Sequence, residues 1–393
     1  MTWAIFSIVA NEVSPSGCSA YTYAQYAYEP YTRAPFYQLS EQMIDDASIN
    51  GGTHPAYPFL TGHGGSNQVV LFGYLGLRYR PDDIIHIDPN LPPQIPHVTY
   101  RTFYWRGWPI SASSNHTHTT ISRAQDIPAL DTADDYFSDK PISIHVGTLS
   151  NFTAHKLPTT GLLTVRNRLI GSKNTVAGNL VQCRPVMSPN RFESGQFPIS
   201  VVDGATSTKW QPSFAANTSS VTVSFAESDT QSMVSGFHFD WYQSPPVNAT
   251  VIFHDQAIKD PASVLSNKSK DVRVIATITG VKQSKPYNPH TTNLDEIAIP
   301  VGNTTNIKLS KPVQAARYAT LLISGNQASD NTQEGVGATV AEWAILAQDD
   351  GSSPSSANSS GEKRKIHLRD AAALSNGSSA QRRRQLMNPN QHY

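Results

Sequence analysis

A multidomain α plus β architecture is predicted for this chain, with helices first, two β regions after them and an unstructured tail. Three observations predict it. Residues 1–32 place Trp3, Ile5, Phe6, Ile8 and Val9 in one apolar run and Tyr21, Tyr23, Tyr26 and Tyr28 in another, separated by Pro15 and Gly17. From Pro81 onward the texture changes to short β-branched and aromatic runs punctuated by Pro, Gly and Asn, as strands and turns require. From residue 349 the Ser, Asn and Gly clusters and the basic runs Lys363-Arg364-Lys365 and Arg382-Arg383-Arg384 hold too little apolar surface for a core, so a disordered, solvated tail is expected over 349–393.

The helical part predicts helix, turn, helix over 1–32, then a Gly-rich turn at Thr61-Gly62-His63-Gly64-Gly65 leading into a helix that begins at Ser66 and runs into the apolar segment Val69 to Leu77. Serine is a favoured N-cap because its hydroxyl accepts an otherwise unpaired backbone N–H. Glycines permit sharp turns and close approach to a ligand, and a helix N-terminus presents free N–H groups.

In the first β region, Val98 to Trp105 reads as a strand turning at Arg106-Gly107, with further strands near 117–122, 142–146 and 161–165. Residues 166–198 read as a connector. The second β region, 199–348, predicts strands at 219–225, 233–242, 250–254, 272–278, 316–324 and 339–346, a spacing that fits a sandwich.

Charge and composition limit the function classes. Lys plus Arg and Asp plus Glu both number 30, so the net charge is zero and offers no bulk attraction to nucleic acid or anionic lipid. Charged residues make up only 15%, which with the abundance of Ser, Thr, Asn and Pro suits a secretory glycoprotein. Sequons at Asn115, Asn151, Asn217, Asn248, Asn267, Asn303, Asn358 and Asn376 point the same way. The start, MTWAIFSIVANEV, lacks a basic n-region and a small-residue cleavage site, so a missing true N-terminus is expected. No apolar run reaches the roughly 18 residues of a membrane span. Cys18 and Cys183 are far apart in sequence, and two unpaired buried thiols are expected.

Among chemistry-bearing residues, Glu41 is an isolated carboxylate beside Phe36 and Tyr37, about twenty residues before the Gly-rich turn. The pairs Asp45-Asp46, Asp82-Asp83 and Asp134-Asp135 read as solvated turn residues, because adjacent side chains do not face each other across a substrate. His116 and His118 share a strand face but have no nearby carboxylate or cysteine, so neither a metal site nor a cofactor is expected.

PFYQLSEQ, HPAYPFLTGHGGSNQVVLFGYLGLR and LPPQIPHVTYRTFYWRGWPISA resemble fungal acid trehalases of glycoside hydrolase family 65. The resemblance implies that 1–80 are the C-terminal helices of an incomplete (α/α)6 catalytic barrel and 81–165 the family's C-terminal β domain. It further implies inverting hydrolysis of α,α-trehalose, with Glu41 as general base and the general acid N-terminal to this chain, leaving the isolated chain inactive. Thr61, Gly62, His63, Gly64, Gly65 and Gln68 become substrate-binding candidates, His63 equally a packing residue. The stretch VVDGATSTKWQP, with ARYATLLISG and ATVAEWAIL, resembles a discoidin-like (coagulation-factor type C) domain, which implies a cell-wall glycan partner or a structural role. Trehalose or a related α-glucoside is the implied substrate and the cell wall, extracellular space or vacuole the implied destination. Two alternatives stay open: a non-catalytic carbohydrate-binding fragment, and a family-65 hydrolase or phosphorylase acting on kojibiose or maltose.

Overall fold

The computed structural model describes residues 2–13, 17–171, 173–214, 218–263, 272–282, 303–327 and 335–348. The expected tail over 349–393 lies outside the described residues.

Helices α1 (Trp3–Val13) and α2 (Ser19–Tyr28) form around the two apolar runs and pack on each other. The Ser7 hydroxyl donates to the Ala20 carbonyl at 2.7 Å, and the Trp3 ring lies 4.3 Å from Tyr26. Pro30, which has no N–H to continue the ladder, sits in the 3-10 turn Glu29–Tyr31 that ends α2. A short antiparallel ribbon follows, β1 (Thr32–Arg33) against β2 (Gln38–Leu39).

The expected helix start at Ser66 is corrected. Helix α3 runs Leu60–Gln68, so the Gly-rich stretch lies inside a helix and continues into a π-helical segment, Val69–Tyr74. A glycine in a helix interior costs about 1 kcal/mol relative to alanine, which packing readily offsets. This segment lies close to α1: a Cβ on Gly65 would sit 3.4 Å from Ala4 Cβ, and one on Gly73 would sit 3.6 Å from Ile8 Cγ1, both ordinary contact distances.

The first β region holds β3 (Ile84–Ile87), β4 (His97–Thr99), β5 (Phe103–Trp105), β6 (Trp108–Asn115), β7 (His118–Arg123), β8 (Ile142–Thr148), β9 (Asn151–Leu157) and β10 (Leu163–Arg166). One sheet has the order β10-β7-β6-β4 with β5 also on β6, and another has β3-β8-β9. The strand expected over 98–105 is two strands, broken at Tyr100–Thr102. The turn after β5 is as expected: Arg106 and Gly107 have φ of 45° and 78°, the double left-handed geometry that a two-residue hairpin loop of type I′ needs. Ile85, Ile87, Ile110, Ile142, Ile144 and Leu157 bury in one core with Ala4, Ile8, Leu75 and Leu77, so the helices and these sheets share an interior.

The second β region is a sandwich. One sheet orders β11 (Val186–Met187), β12 (Ser219–Ser224), β17 (Tyr318–Ser324), β14 (Asn248–His254) and β15 (Val272–Thr279) as β11-β12-β17-β14-β15. The other orders β16 (Thr304–Gln314), β13 (Met233–Asp240) and β18 (Glu342–Ala347) as β16-β13-β18. All pairings are antiparallel, and Trp210, Phe237, Phe239, Trp241, Phe253 and Trp343 fill the space between, all fully buried. Strand β16 escaped the sequence reading because its sequence, TTNIKLSKPVQ, is mostly polar. It is an edge strand whose inward positions Ile307, Leu309 and Val313 alternate with exposed ones.

Residues 179–187 of the connector are packed onto this sandwich. Leu180 N–H donates to the Ile345 carbonyl at 2.9 Å, the Asn179 side-chain oxygen accepts from Val181 and Ile345, Val181 is fully buried, and β11 lies in the connector.

The expectation of free thiols is also corrected: Cys18 and Cys183 form a disulfide, with Cα atoms 5.8 Å apart across 165 residues of sequence. Sequence separation carries no information on spatial distance once α2 docks on the sandwich. That docking is tight. Cys18 N–H donates to the Asp203 carbonyl at 2.8 Å, the Tyr23 and Ser207 hydroxyls lie 2.6 Å apart, and a Cβ on Gly17, whose φ is +71°, would meet the Asp203 carbonyl oxygen at 2.5 Å. A cross-link over so long a loop restricts the unfolded chain, so Cys183→Ser is expected to lower unfolding free energy by about 2–5 kcal/mol. Urea denaturation of the oxidised wild type beside the variant checks this, and equal midpoints would show that the bridge adds nothing.

At the same junction two carboxyls are buried. Asp203 is 0% and Glu342 2% exposed. Asp203 accepts from Thr208 Oγ1 at 2.7 Å and Ala205 N at 2.9 Å, while Glu342 accepts from Gly204 N at 3.0 Å. Burial pushes the Asp203 carboxyl up to about 7, and burial, then the neighbouring Asp203 charge, raises Glu342.

Candidate functional site

Glu41 follows β2 on an exposed loop that returns at Leu60 to α3. Three backbone contacts hold its neighbourhood: Ser40 N–H to the Tyr31 carbonyl at 2.8 Å, Glu41 N–H to the Ala56 carbonyl at 3.1 Å and Phe59 N–H to the Leu39 carbonyl at 2.7 Å. The carboxylate itself accepts from Ala56 N–H at 3.0 Å. Phe36 and Tyr37, at the tip of the β1–β2 ribbon, are 80% and 73% exposed, and Tyr37 takes a left-handed φ of 53°, a sparsely populated conformation for a bulky residue.

His63 ties the Gly-rich helix to the strand that precedes Glu41. Its Nε2 accepts the Leu39 N–H at 3.0 Å, two residues before Glu41, which pins α3 to β2 and fixes that nitrogen as unprotonated. His63 therefore has a packing role in this structure. Thr61, Gly64 and Gln68 face solvent, Gly65 is half-buried and Gly62 is buried.

The acidic pairs are more than solvated turn residues. Asp45 accepts from Arg33 Nε and Ser40 Oγ, both at 2.5 Å, and these bonds, Arg33 first, hold its carboxyl below the usual range. Asp46 accepts from the Ser48 hydroxyl at 2.7 Å and its N–H at 2.8 Å, which also lowers its pKa. Asp82 pairs with His86 at 2.9 Å, Asp83 with Arg106, and Asp134 accepts from Tyr136 N–H at 3.0 Å. Sequence reading missed these partners, since an Arg twelve residues before an Asp has no periodic signature in a loop.

Asn115, Asn151 and Asn248 are exposed, as a glycan requires, and Asn217, Asn267, Asn358 and Asn376 lie outside the described residues. Asn303 is a correction. It is 6% exposed and its Nδ2 donates to the Tyr242 carbonyl at 2.6 Å, so in the folded chain the nitrogen that would bear the sugar is enclosed. His116 and His118 are exposed, and among the described residues no three metal-ligating side chains cluster. Likewise, no helix there is long and apolar enough to cross a membrane.

Residues 77–130 match the model for the glycosyl hydrolase family 65 C-terminal domain. An acid trehalase of Emericella nidulans is 64% identical over 357 residues, covering 90% of this chain and 34% of that protein. A cell wall acid trehalase of Arthroderma benhamiae is 56% identical over 358 residues, covering 88% of this chain and 34% of its own length. The chain thus spans about a third of these relatives. A solved structure of chitosan-binding module 1 from a Paenibacillus sp. IK-5 chitosanase/glucanase is similar at 11% identity and a TM-score of 0.30, covering 43% of this chain and 98% of that one. The chain is therefore similar over most of its length to fungal acid trehalases, with residues 77–130 matching a glycosyl hydrolase family 65 C-terminal domain.

Proposed function

We propose that this chain carries the general-base segment of an inverting α,α-trehalose hydrolase. The observation that supports this most is 64% identity over 90% of the chain to a protein named acid trehalase. Glu41 deprotonates the attacking water, with the Ala56 N–H on Oε2 setting the rotamer. The opposed general acid and the rest of an (α/α)6 barrel belong to the two thirds of the relatives that this chain does not span. Residues 1–80 are then barrel helices, 81–165 the C-terminal β domain, 166–198 the connector, 199–348 a discoidin-like sandwich and 349–393 a tail. Ile5, Phe6, Val9 and Val13 of α1 are 46–67% exposed, an apolar face suited to further helices. Thr61 and Gln68 supply polar contacts to the sugar, and the sandwich meets cell-wall glycan. The named relatives favour a secreted or cell-wall setting for this chain as well.

The test is glucose release from trehalose, kojibiose and maltose, with and without phosphate, by the protein purified from its native source. Trehalose is expected to be cleaved without phosphate, giving one β- and one α-glucose. Phosphate-dependent cleavage, or α-glucose alone, would overturn the proposal. The isolated 393-residue chain, lacking the acid, is expected to release no glucose.

A further inference from the structure

We infer that Arg33 and Asp45 are positioning residues for Glu41, clamping its loop to β1 and the turn before it. This rests on the proposed role of Glu41 as base. The guanidinium uses all five of its N–H groups. Nη1 donates to the carbonyls of Pro30 and Thr32 at 3.0 and 3.3 Å, on the incoming side. Nη2 donates to the carbonyls of Gln42 and Met43 at 2.9 and 2.8 Å, immediately after Glu41. Nε meets Asp45, whose second oxygen accepts the hydroxyl of Ser40, immediately before Glu41. Glu41 is thus flanked on both sides by groups tied to one planar cation.

Burial does not hold this loop. Met43, Ile44, Ile49 and Tyr57 are 41%, 53%, 63% and 48% exposed, so hydrophobic anchoring is weak along it. A single exposed ion pair would contribute little. Here the pair is one arm of a network in which four backbone carbonyls are satisfied by a rigid fork, and Arg33 is only 23% exposed. Lysine offers three donors from one point and does not bridge both sides. The enforced position matters because a misplacement of about 1 Å in a catalytic group costs about 10²-fold in rate.

The clamp is read first in the 393-residue chain by amide exchange. Ala56 N–H donates to the Glu41 carboxylate and so reports on Glu41 itself. Arg33→Gln is expected to speed exchange at Ala56 and at Glu41, whose N–H donates to the Ala56 carbonyl, by about tenfold or more, with protection in the sandwich unchanged. Arg33→Lys is expected to restore little of it. In the protein from its native source, Arg33→Gln and Asp45→Asn are expected to lower kcat for trehalose by about 10–100-fold with KM nearly unchanged. Unchanged Ala56 exchange in Arg33→Gln overturns the clamp, and so does an unchanged kcat where Glu41→Gln abolishes turnover. Looser Ala56 exchange together with full turnover in Glu41→Gln shows instead that the base reading has failed, which overturns the catalytic part of the inference and leaves only a loop clamp.

Discussion

Glu41→Gln is expected to reduce trehalose hydrolysis by about 10²–10⁴-fold while leaving trehalose binding nearly unchanged. Glutamine keeps the shape and the acceptor oxygen that takes the Ala56 N–H at 3.0 Å, so the loop geometry survives. It removes the ability to take a proton from water, and general base catalysis typically contributes a factor of that size. An interaction needed only in the transition state appears in kcat rather than in substrate affinity. Steady-state kinetics with calorimetric trehalose binding, on the protein from its native source, separate the two quantities. Wild-type turnover in the variant would place the base elsewhere. A tenfold loss of binding with unchanged kcat would make Glu41 a sugar contact.

Stability should fall as pH rises from about 4 to about 7, and Asp203→Asn should remove much of that fall. Asp203 is fully buried and its carboxyl is pushed from 3.8 up to about 7 by burial. Below about 4 both folded and unfolded chains hold the proton, so the group is neutral towards folding. Between about 4 and about 7 the folded chain binds a proton that the unfolded chain has released, and unfolding free energy declines with each pH unit. Above about 7 the whole cost of burying the charge is present, about 4 kcal/mol from the size of the shift. Glu342 moves the same way, since its pKa is also raised. His254, buried and with its pKa lowered chiefly by burial, works in the opposite sense, because the unfolded chain gains a proton from it as pH drops below its ordinary value. The informative quantity is therefore the difference between wild type and Asp203→Asn, from urea denaturation in chelator-treated buffer across pH 4–8. A difference that stays constant with pH would mean that Asp203 is ionised throughout.

The sequence by itself determined the order of helices and β regions, most strand positions of the sandwich, the position of the turn at Arg106-Gly107 and the isolation of Glu41. Those features are local. Alternating Phe237 and Phe239, the Pro30 stop and the paired left-handed residues act over a few positions, where period and turn chemistry are legible. The tertiary structure alone decided that the Gly-rich run is helix rather than turn, since this segment packs beside Ala4 and Ile8 of α1, which lie about sixty residues away. It also decided the Cys18–Cys183 bridge, the enclosure of Asn303 and the buried state of Asp203. The clamp on Glu41 belongs with these. Arg33 and Asp45 look like ordinary surface charges in sequence, and only the fold of the β1–β2 ribbon turns three of the five Arg33 donors towards the Glu41 loop and two towards Pro30 and Thr32. Each of these contacts joins segments whose separation along the chain has no fixed relation to their separation in space, which is why local pattern could not reveal them.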